Sequence, residues 1–258
     1  MSGLPFWHVD AFADGPFTGN PAAVIRLDRW RDEDALRTIA REINLPATAF
    51  AVPADGEADF EIRWFSPRGE IGLCGHGTLA AGHALIGGEG VIRFATRTAG
   101  LVRVVRDGGL LSLSLPVIRA APQPLPDAVA IIGGEPVETL WHERGYGILV
   151  YADEAAVRAL SPDFAALAGL GDVQFSATAP GSDTDIVSRV FTSRGGEDAV
   201  TGSAHSVLTP YWAERLGREA FTAFQASARG GWLDCQLQGD RAVLSGRCVT
   251  LVEGRFIS

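Results

Sequence analysis

The 258-residue chain is poor in cysteine, in positive charge and in long apolar runs. Its three cysteines, Cys74, Cys235 and Cys248, are an odd number without C-x-x-C spacing, which argues against a disulfide framework and against a structural zinc site. Lysine and arginine total 22 against 31 aspartates and glutamates, a formal charge of -9, so we expect no nucleic-acid partner. No run of about 18 apolar residues without charge occurs, and no basic patch followed by an apolar run opens the chain. These features predict a cytoplasmic protein with no membrane partner.

Cofactor and metal motifs are also missing. The sequence has neither a G-x-G-x-x-G loop at a strand-helix junction nor a G-x-x-x-x-G-K-(S/T) loop, so we predict no nucleotide cofactor. His8, His83, His142 and His205 have no spacing that indicates metal ligation, so we assign them to structure and predict no metal site.

The remaining composition, 47% hydrophobic, is sufficient for a large core in one or two domains. Short and often alternating runs separated by turn residues predict strands at 22–27, 48–52, 60–65, 91–96, 101–106, 110–115, 128–132, 146–151, 221–229, 231–238 and 241–249. Apolar residues at helical spacing behind three acidic residues predict a helix at 31–45, and 154–160 is also helical in pattern. The sequence Asp107-Gly108-Gly109 predicts a hairpin turn.

An internal repeat is the most informative feature of the sequence. Residues 63–78 and 189–205 both read R-x-F-(S/T)-x-R-G, followed by a short loop and a Gly-(His/Ser) pair that opens an alanine-rich run. The offset is 126 residues at Arg63 and Arg189 and 127 at Gly75 and Gly202, about half the chain. We interpret this as two homologous halves rather than chance similarity. A Pro-rich stretch at 120–126 suggests the boundary, and we predict halves at 1–118 and 119–258, whose terminal segment can pack back on the first half.

Each repeat leads from an extended run through a Gly-rich loop into a predicted helix, at 78–86 or at 203–216, that Gly87 or Gly217 would end. A helix N-terminus offers free amide groups and the positive end of the macrodipole, which attract anions. One such junction alone could be explained by tight turns. The duplicated pair predicts that both junctions bind one carboxylate-bearing substrate from two sides.

Three side chains at these junctions are candidates for proton transfer. Cys74 directly precedes the first helix, where the dipole favours a thiolate. The alternative is a cysteine that only packs in the core, as buried cysteines often do. His76 can exchange protons near neutral pH, and we favour this role over that of a core histidine. Asp198 precedes the second helix, either as a first-turn cap or as a polar group in the cleft.

Three motifs resemble those of the phenazine-biosynthesis PhzF-like family. They are V-D-A-F-A-D-G-P-F-T-G-N-P-A-A-V at 9–24, L-C-G-H-G-T-L-A at 73–80 and E-D-A-V-T-G-S-A-H at 197–205. The resemblance extends over nearly the whole chain. It implies an α+β, diaminopimelate epimerase-like fold, with two pseudo-symmetric halves that each wrap a mostly antiparallel sheet around a central helix. It also implies an active site between the halves, a homodimer, and cofactor-independent isomerisation in a biosynthetic process.

The resemblance also implies a set of site residues. Cys74, His76 and Asp198 are the expected catalytic residues. The expected substrate-binding residues are Asn20, Gly75, Gly77, Thr78, Thr201, Gly202 and Ser203.

At two positions the sequence departs from related proteins. Thr201 stands where the epimerases of this fold have a second cysteine, and a threonine hydroxyl cannot serve as that thiol, so two-cysteine racemisation is disfavoured. Ala47, in L-P-A-T-A-F, stands where PhzF-like isomerases have a glutamate that moves the proton. Three alternatives follow: another group replaces that glutamate, or the chemistry differs, or the protein binds a metabolite or a partner without catalysis. The candidate replacements are Cys74, Asp198 and Glu70, with Cys74 the first choice.

Overall fold

A computed structural model of the chain describes residues 3–257. These residues form two compact units. The first contains the described residues up to Ser114 and those from Ser245 onward, and the second is Leu115–Leu244. Within the described range, no helix has the length and apolar character needed to cross a membrane.

The elements of the first part of the chain follow one another in the order β1 (Leu4–Ala11), β2 (Asn20–Arg26), α1 (Glu33–Ile43), β3 (Ala47–Pro53), β4 (Phe60–Ser66), β5 (Gly69–Ile71), α2 (Gly75–Leu85), β6 (Gly90–Thr96), β7 (Leu101–Asp107) and β8 (Leu110–Pro116). The remaining elements are β9 (Ala121–Pro122), α3 (Pro126–Ile132), β10 (Glu138–His142), β11 (Tyr146–Val150), α4 (Glu154–Arg158), α5 (Phe164–Leu167), a 3-10 turn (Ala168–Leu170), β12 (Gln174–Pro180), β13 (Ile186–Thr192), β14 (Gly196–Asp198), α6 (Gly202–Leu216), β15 (Ala220–Gln225), β16 (Gly231–Gln238), β17 (Arg241–Gly246) and β18 (Cys248–Phe256).

Strand pairing in the first unit recurs in the second. In the first unit β1 pairs antiparallel with β2, β2 parallel with β3, β3 antiparallel with β4, and β4 antiparallel with β5 and parallel with β6, which pairs antiparallel with β7. In the second unit β10, β11, β12, β13, β14, β15 and β16 repeat these six pairings in the same order and direction. β18 adds an antiparallel strand to β1. Each unit is therefore a mostly antiparallel sheet, as predicted.

One long helix is buried in each unit. In α2 all seven residues from His76 to Gly82 are buried, and in α6 all ten from Ala204 to Ala213 are buried. A helix that is buried on every side lies inside the core rather than on its surface. α2 contacts β1, β2, β3 and β7, and α6 contacts β11, β12 and β16. The prediction of a sheet wrapped around a central helix is confirmed for both units.

α1 begins and ends at residues that cap it. The Asp32 side chain accepts a hydrogen bond from the Ala35 amide at 2.8 Å, and Asn44 adopts a left-handed conformation at the C-terminus. The helix predicted at 31–45 is confirmed, with its ends trimmed to these caps. At the predicted hairpin, Gly108 and Gly109 have φ of 56° and 86° between β7 and β8, as a two-residue turn requires.

The strand predicted at 128–132 is wrong, because these residues lie in α3. Pro126 occupies the first turn, where its fixed φ suits a helix and its missing N–H costs nothing. Ala128 and Ile132, four residues apart, are the buried positions, which is a helical spacing. The β-branched residues in this short segment favour a strand. The segment is nevertheless helical, because Pro126 starts a helical turn and Ala128 and Ile132 pack on one face of it. The run predicted at 241–249 is also divided, between β17 and β18.

Candidate active site

The first candidate site lies at the N-terminus of α2. Cys74 is the N-cap residue, with φ -130° and ψ 103°, and its side chain makes no capping hydrogen bond. Its Sγ lies 3.6 Å from Nδ1 and 3.9 Å from Nε2 of His76. The two residues are only 5% and 8% exposed. A thiol and an imidazole are thus in contact, largely shielded from solvent, at the positive end of a buried helix.

Asn20, the first residue of β2, orients this imidazole. Its Nδ2 lies 3.4 Å from Nδ1 of His76. A side-chain amide nitrogen only donates, so in this amide orientation Nδ1 is an acceptor and the neutral ring carries its proton on Nε2. Nδ1 has a single lone pair, so it can receive the Cys74 thiol proton only when it does not accept from Asn20. An Asn20 amide turned by 180° would present Oδ1 to the ring, and that oxygen would accept from the protonated Nδ1.

Two further predicted residues shape the first turn of α2. Thr78 donates to the carbonyl oxygen of Cys74 from Oγ1 at 2.6 Å and from its amide at 2.9 Å. These bonds fix the backbone that carries the thiol. Gly75 is the first residue of the helix, directly beside Cys74.

Gly77 packs too closely against its neighbours for a larger residue. A Cβ at this position would lie 3.0 Å from Cys74 Sγ, 3.0 Å from Cδ1 of Trp64 and 3.5 Å from Cβ of Ala47. The position where the family resemblance leads us to expect a glutamate and the Cys74 thiol therefore both lie close to Gly77. Ala47 is fully buried.

The second candidate site, in the other unit, lies at the N-terminus of α6. Its N-cap, Thr201, has φ -121° and ψ 105°, almost the backbone conformation of Cys74, and it too makes no side-chain cap. Thr201 Oγ1 donates to Oδ2 of Asp198 at 2.6 Å. The Thr201 amide donates to Oε1 of Gln225 at 2.9 Å, and Gln225 Nε2 donates to the Asp198 carbonyl oxygen at 2.7 Å. Asp198 is thereby held at the helix N-terminus without being its N-cap.

Gly202 and Ser203 open α6 and complete the predicted set. Ser203 Oγ donates to Oε1 of Gln174, the first residue of β12, at 3.0 Å. Register identifies Gln174 as the counterpart of Ala47. Phe65 pairs with Thr48, and the matching Phe191 pairs with Phe175, so Thr48 and Phe175 correspond. Ala47 precedes Thr48 and Gln174 precedes Phe175, so these two also correspond.

His205 has a structural role in this unit. It is fully buried, and its Nδ1 donates to the Thr201 carbonyl oxygen at 2.8 Å. Nε2 lies 3.5 Å from the Ser188 hydroxyl. Burial lowers the pKa of His205 to about 4, so the ring is neutral at physiological pH.

Other groups are less suited to proton transfer. Both carboxylate oxygens of Glu70 accept from Arg63, and this pairing lowers the pKa of Glu70, which makes it a weaker base. Burial raises the pKa of Cys235 to about 12. Over residues 3–257, no three His, Cys, Asp or Glu side chains are grouped so that they could hold a metal ion.

A family model described as "Phenazine biosynthesis-like protein" matches residues 9–254. The chain belongs to the PhzF-like family. An uncharacterized isomerase of Pseudomonas aeruginosa is 44% identical over 257 residues, which cover 97% of this chain and 98% of the relative. A solved PhzF-family structure from Enterococcus faecalis is 37% identical, with a TM-score of 0.93 and full coverage of both chains.

The fold is shared with more distant proteins. A hydroxyproline epimerase from Agrobacterium vitis, solved with bound trans-4-hydroxy-L-proline, has a TM-score of 0.63 at 16% identity, covering 97% of this chain and 91% of its own. This likeness shows the shared epimerase-like fold. The predicted α+β, diaminopimelate epimerase-like class is confirmed.

The structure assembles the predicted residues into two sets, one in each unit, and adds three that the sequence did not reveal. Trp64 lies against Gly77, while Gln174 and Gln225 hold the α6 junction. Gln174 could have been found by extending the repeat upstream at an offset of 127 from Ala47. Trp64 and Gln225 carry no comparable signal, since their counterparts in the other unit are residues of different type.

Proposed function

We propose that this PhzF-like protein is a cofactor-independent isomerase that moves a proton within a small carboxylate-bearing metabolite. The observation that carries the proposal is the contact between Cys74 and His76 at the N-terminus of α2. The amides of the Gly75 turn would bind the substrate carboxylate, because a helix N-terminus favours negative charge.

The proposed proton transfer is balanced without a cofactor. Nδ1 of His76 takes the Cys74 proton, which leaves a thiolate and an imidazolium. The thiolate removes a proton from a substrate carbon activated by an adjacent carboxylate or double bond. The imidazolium returns a proton to the other end of the conjugated system. Both side chains are then back in their starting protonation states, and one carbon–hydrogen bond has moved.

We further propose that the second junction serves the same substrate, with Asp198 as a catalytic group and Thr201, Gly202 and Ser203 as binding residues. Support comes from the repeat and from the matching backbone conformation of Cys74 and Thr201. A cytoplasmic homodimer is part of the same proposal, and cell fractionation and sedimentation test it.

The alternative is a member of the family that binds a metabolite or a partner without catalysis. The observation that favours it is Ala47, whose methyl group beside Gly77 cannot carry a proton. In that case ligands would stabilise the protein, and Cys74→Ser would leave their binding unchanged.

Deuterium exchange distinguishes the two. Small unsaturated and amino carboxylates are incubated with the protein in D2O, and incorporation at carbon is followed by NMR. We expect incorporation with the wild type, a decrease of at least about 100-fold in Cys74→Ser and His76→Ala, and a smaller loss in Asp198→Asn. Cys248→Ser is the thiol control. Exchange that appears only in Ala47→Glu would reject the isomerase and support the binding protein.

A further inference from the structure

The indole of Trp64 holds a buried hydrogen-bond donor that the proposed mechanism does not use. Trp64 is 1% exposed, and within residues 3–257 its Nε1 has no hydrogen-bond acceptor. An indole N–H normally finds a partner when buried, and a buried donor without one destabilises the folded protein. An acceptor from outside the chain would remove this cost.

The donor lies at the first candidate site. Cδ1 of Trp64 and Sγ of Cys74 are each 3.0 Å from the point where Gly77 would carry a Cβ, and Ala47 Cβ is 3.5 Å from it. Nε1 is bonded directly to Cδ1, so the donor is one bond from this contact. Ala49 pairs with Trp64 across the strands and shares a face of β3 with Ala47. The side chains of these neighbours offer methyl groups, a thiol and a hydrogen atom, and none offers an oxygen.

The electrostatics of the site favour an anionic acceptor. The N-terminus of α2 carries the positive end of the helix dipole, and the indole N–H adds a second positive edge nearby. A carboxylate or carbonyl oxygen would satisfy the donor and interact favourably with the dipole. A buried water could satisfy the donor too, but it would gain less from this field than a charged oxygen.

We propose that Trp64 Nε1 donates a hydrogen bond to an oxygen of the bound carboxylate metabolite, which makes Trp64 a specificity-determining residue of the first junction. The inference rests on the proposed function, because it assumes that the ligand binds at the α2 N-terminus. Besides the ligand contacts proposed for the helix amides and the Cys74–His76 pair, it adds a direct contact to the ligand from a side chain of β4.

NMR of the indole groups tests the inference. The six tryptophans give six indole N–H signals, and Trp64→Phe identifies the one from Trp64. The probes are acetate, crotonate and glycine, titrated while the Gly75 and Gly77 amides are followed as reporters of the helix N-terminus. We expect the Trp64 proton to move downfield as these amides shift. Trp64→Phe should weaken binding about 10-fold, the loss of one hydrogen bond. It should also lower Tm, because the smaller ring leaves a cavity at a fully buried position.

Trp30→Phe is the matched control, because Trp30 Nε1 already donates to Glu61 at 2.5 Å, and its binding should equal that of the wild type. Ala47→Ser places a hydroxyl acceptor beside the indole, so it should shift the Trp64 signal in the free protein and weaken probe binding.

Four outcomes would overturn the inference. If the amides shift while the Trp64 proton does not, or if Trp64→Phe binds the probes as tightly as the wild type, the proposed function stands and the inference fails. A Trp64 proton that is already bonded to a slowly exchanging water in the free protein, with Trp64→Phe lowering Tm alone, assigns the donor to structure. If no probe shifts the helix amides, the carboxylate site itself is rejected.

Discussion

Arg63 and Glu70 form a bidentate ion pair, with Nε to Oε1 at 2.7 Å and Nη2 to Oε2 at 2.8 Å. Arg189 and Glu197 repeat it in the other unit at 2.8 and 2.9 Å. In each copy the guanidinium also lies over a phenylalanine of its own strand, at 5.0 and 5.1 Å from the ring centroid. The internal repeat thus preserves a structural ion pair at the base of each junction, separately from the residues proposed for chemistry.

The two pairs are expected to differ in their contribution to stability. In Glu70→Gln the Arg63 guanidinium keeps a second carboxylate, Glu33, at 3.0 Å, whereas in Glu197→Gln the Arg189 guanidinium keeps backbone carbonyl acceptors but no carboxylate among residues 3–257. In both variants the glutamine amide oxygen can still accept one hydrogen bond. We expect Glu197→Gln to lower the free energy of unfolding by about 2 kcal/mol and Glu70→Gln by about 1 kcal/mol. Urea unfolding measures both. Asp172→Asn, which breaks the exposed pair with Arg194, should cost less than about 0.5 kcal/mol. Equal losses in all three would contradict a structural role for the repeated pair.

Close packing around α2 predicts a graded series of alanine substitutions. At Gly82 a Cβ would lie 2.6 Å from Cγ1 of Val104, at Gly77 it would meet Cys74 Sγ at 3.0 Å, and at Gly88 it would meet nothing within 4 Å. We expect Gly82→Ala to destabilise most, Gly77→Ala by about 1–3 kcal/mol, and Gly88→Ala by less than either. Thermal unfolding measures the order. Gly77→Ala should also reduce any deuterium exchange more than its stability loss explains, because the added methyl group displaces the Cys74 thiol. An unaltered rate in folded Gly77→Ala would argue against a site at this turn.

Local patterns in the sequence were sufficient for the junctions but not for their surroundings. Cys74 and Thr201 could be matched because each stands just before a Gly-(His/Ser) pair in the same register, and the structure gives them nearly the same backbone conformation. Ala47 and the Cys74 thiol both lie close to Gly77, and this placement of Ala47 depends on strand pairing far from the motif, so no local pattern indicates it. Gln225 is fully buried, and its bonds to Thr201 and Asp198 join β15 to a junction more than 20 residues earlier in the chain. Ala128 was predicted in a strand because its β-branched neighbours favour one, although Pro126 is a helix start signal.

Gln174 predicts an electrostatic test of the second junction, on the assumption of the proposed function. Its Oε1 accepts a hydrogen bond from Ser203. The residue is partly buried, and its Nε2 atom is fully buried and has no acceptor in the described part of the chain. Gln174→Glu keeps an acceptor for Ser203 but replaces the donor with a negative charge near the N-terminus of α6. We expect Tm to stay the same or rise, because the dipole favours the charge, and carboxylate binding to weaken more than about 10-fold.

Calorimetry with the NMR probes measures this effect, with Gln238→Glu, at an exposed position on β16, as the control for net charge. Unchanged affinity in Gln174→Glu would remove the second junction from the binding site and leave the first unaffected.

His205 predicts how stability depends on pH. Its pKa in the folded protein is lowered to about 4 by burial, against 6.5 for the free side chain. Above pH 6.5 the ring is neutral in both states, so this residue adds no pH dependence. Between pH 6.5 and about 4 the unfolded chain binds a proton that the folded protein does not, and stability falls as the pH falls. The full difference is on the order of 3 kcal/mol.

His205→Gln should have a shallower decline over this window in urea unfolding at stepped pH, although it is less stable at pH 7 because the bond to the Thr201 carbonyl is altered. His142→Gln, at the end of β10, is the control and should follow the wild-type curve. If His205→Gln loses stability in parallel with the wild type from pH 6.5 to 4, the decline comes from other groups and the buried imidazole is not its source.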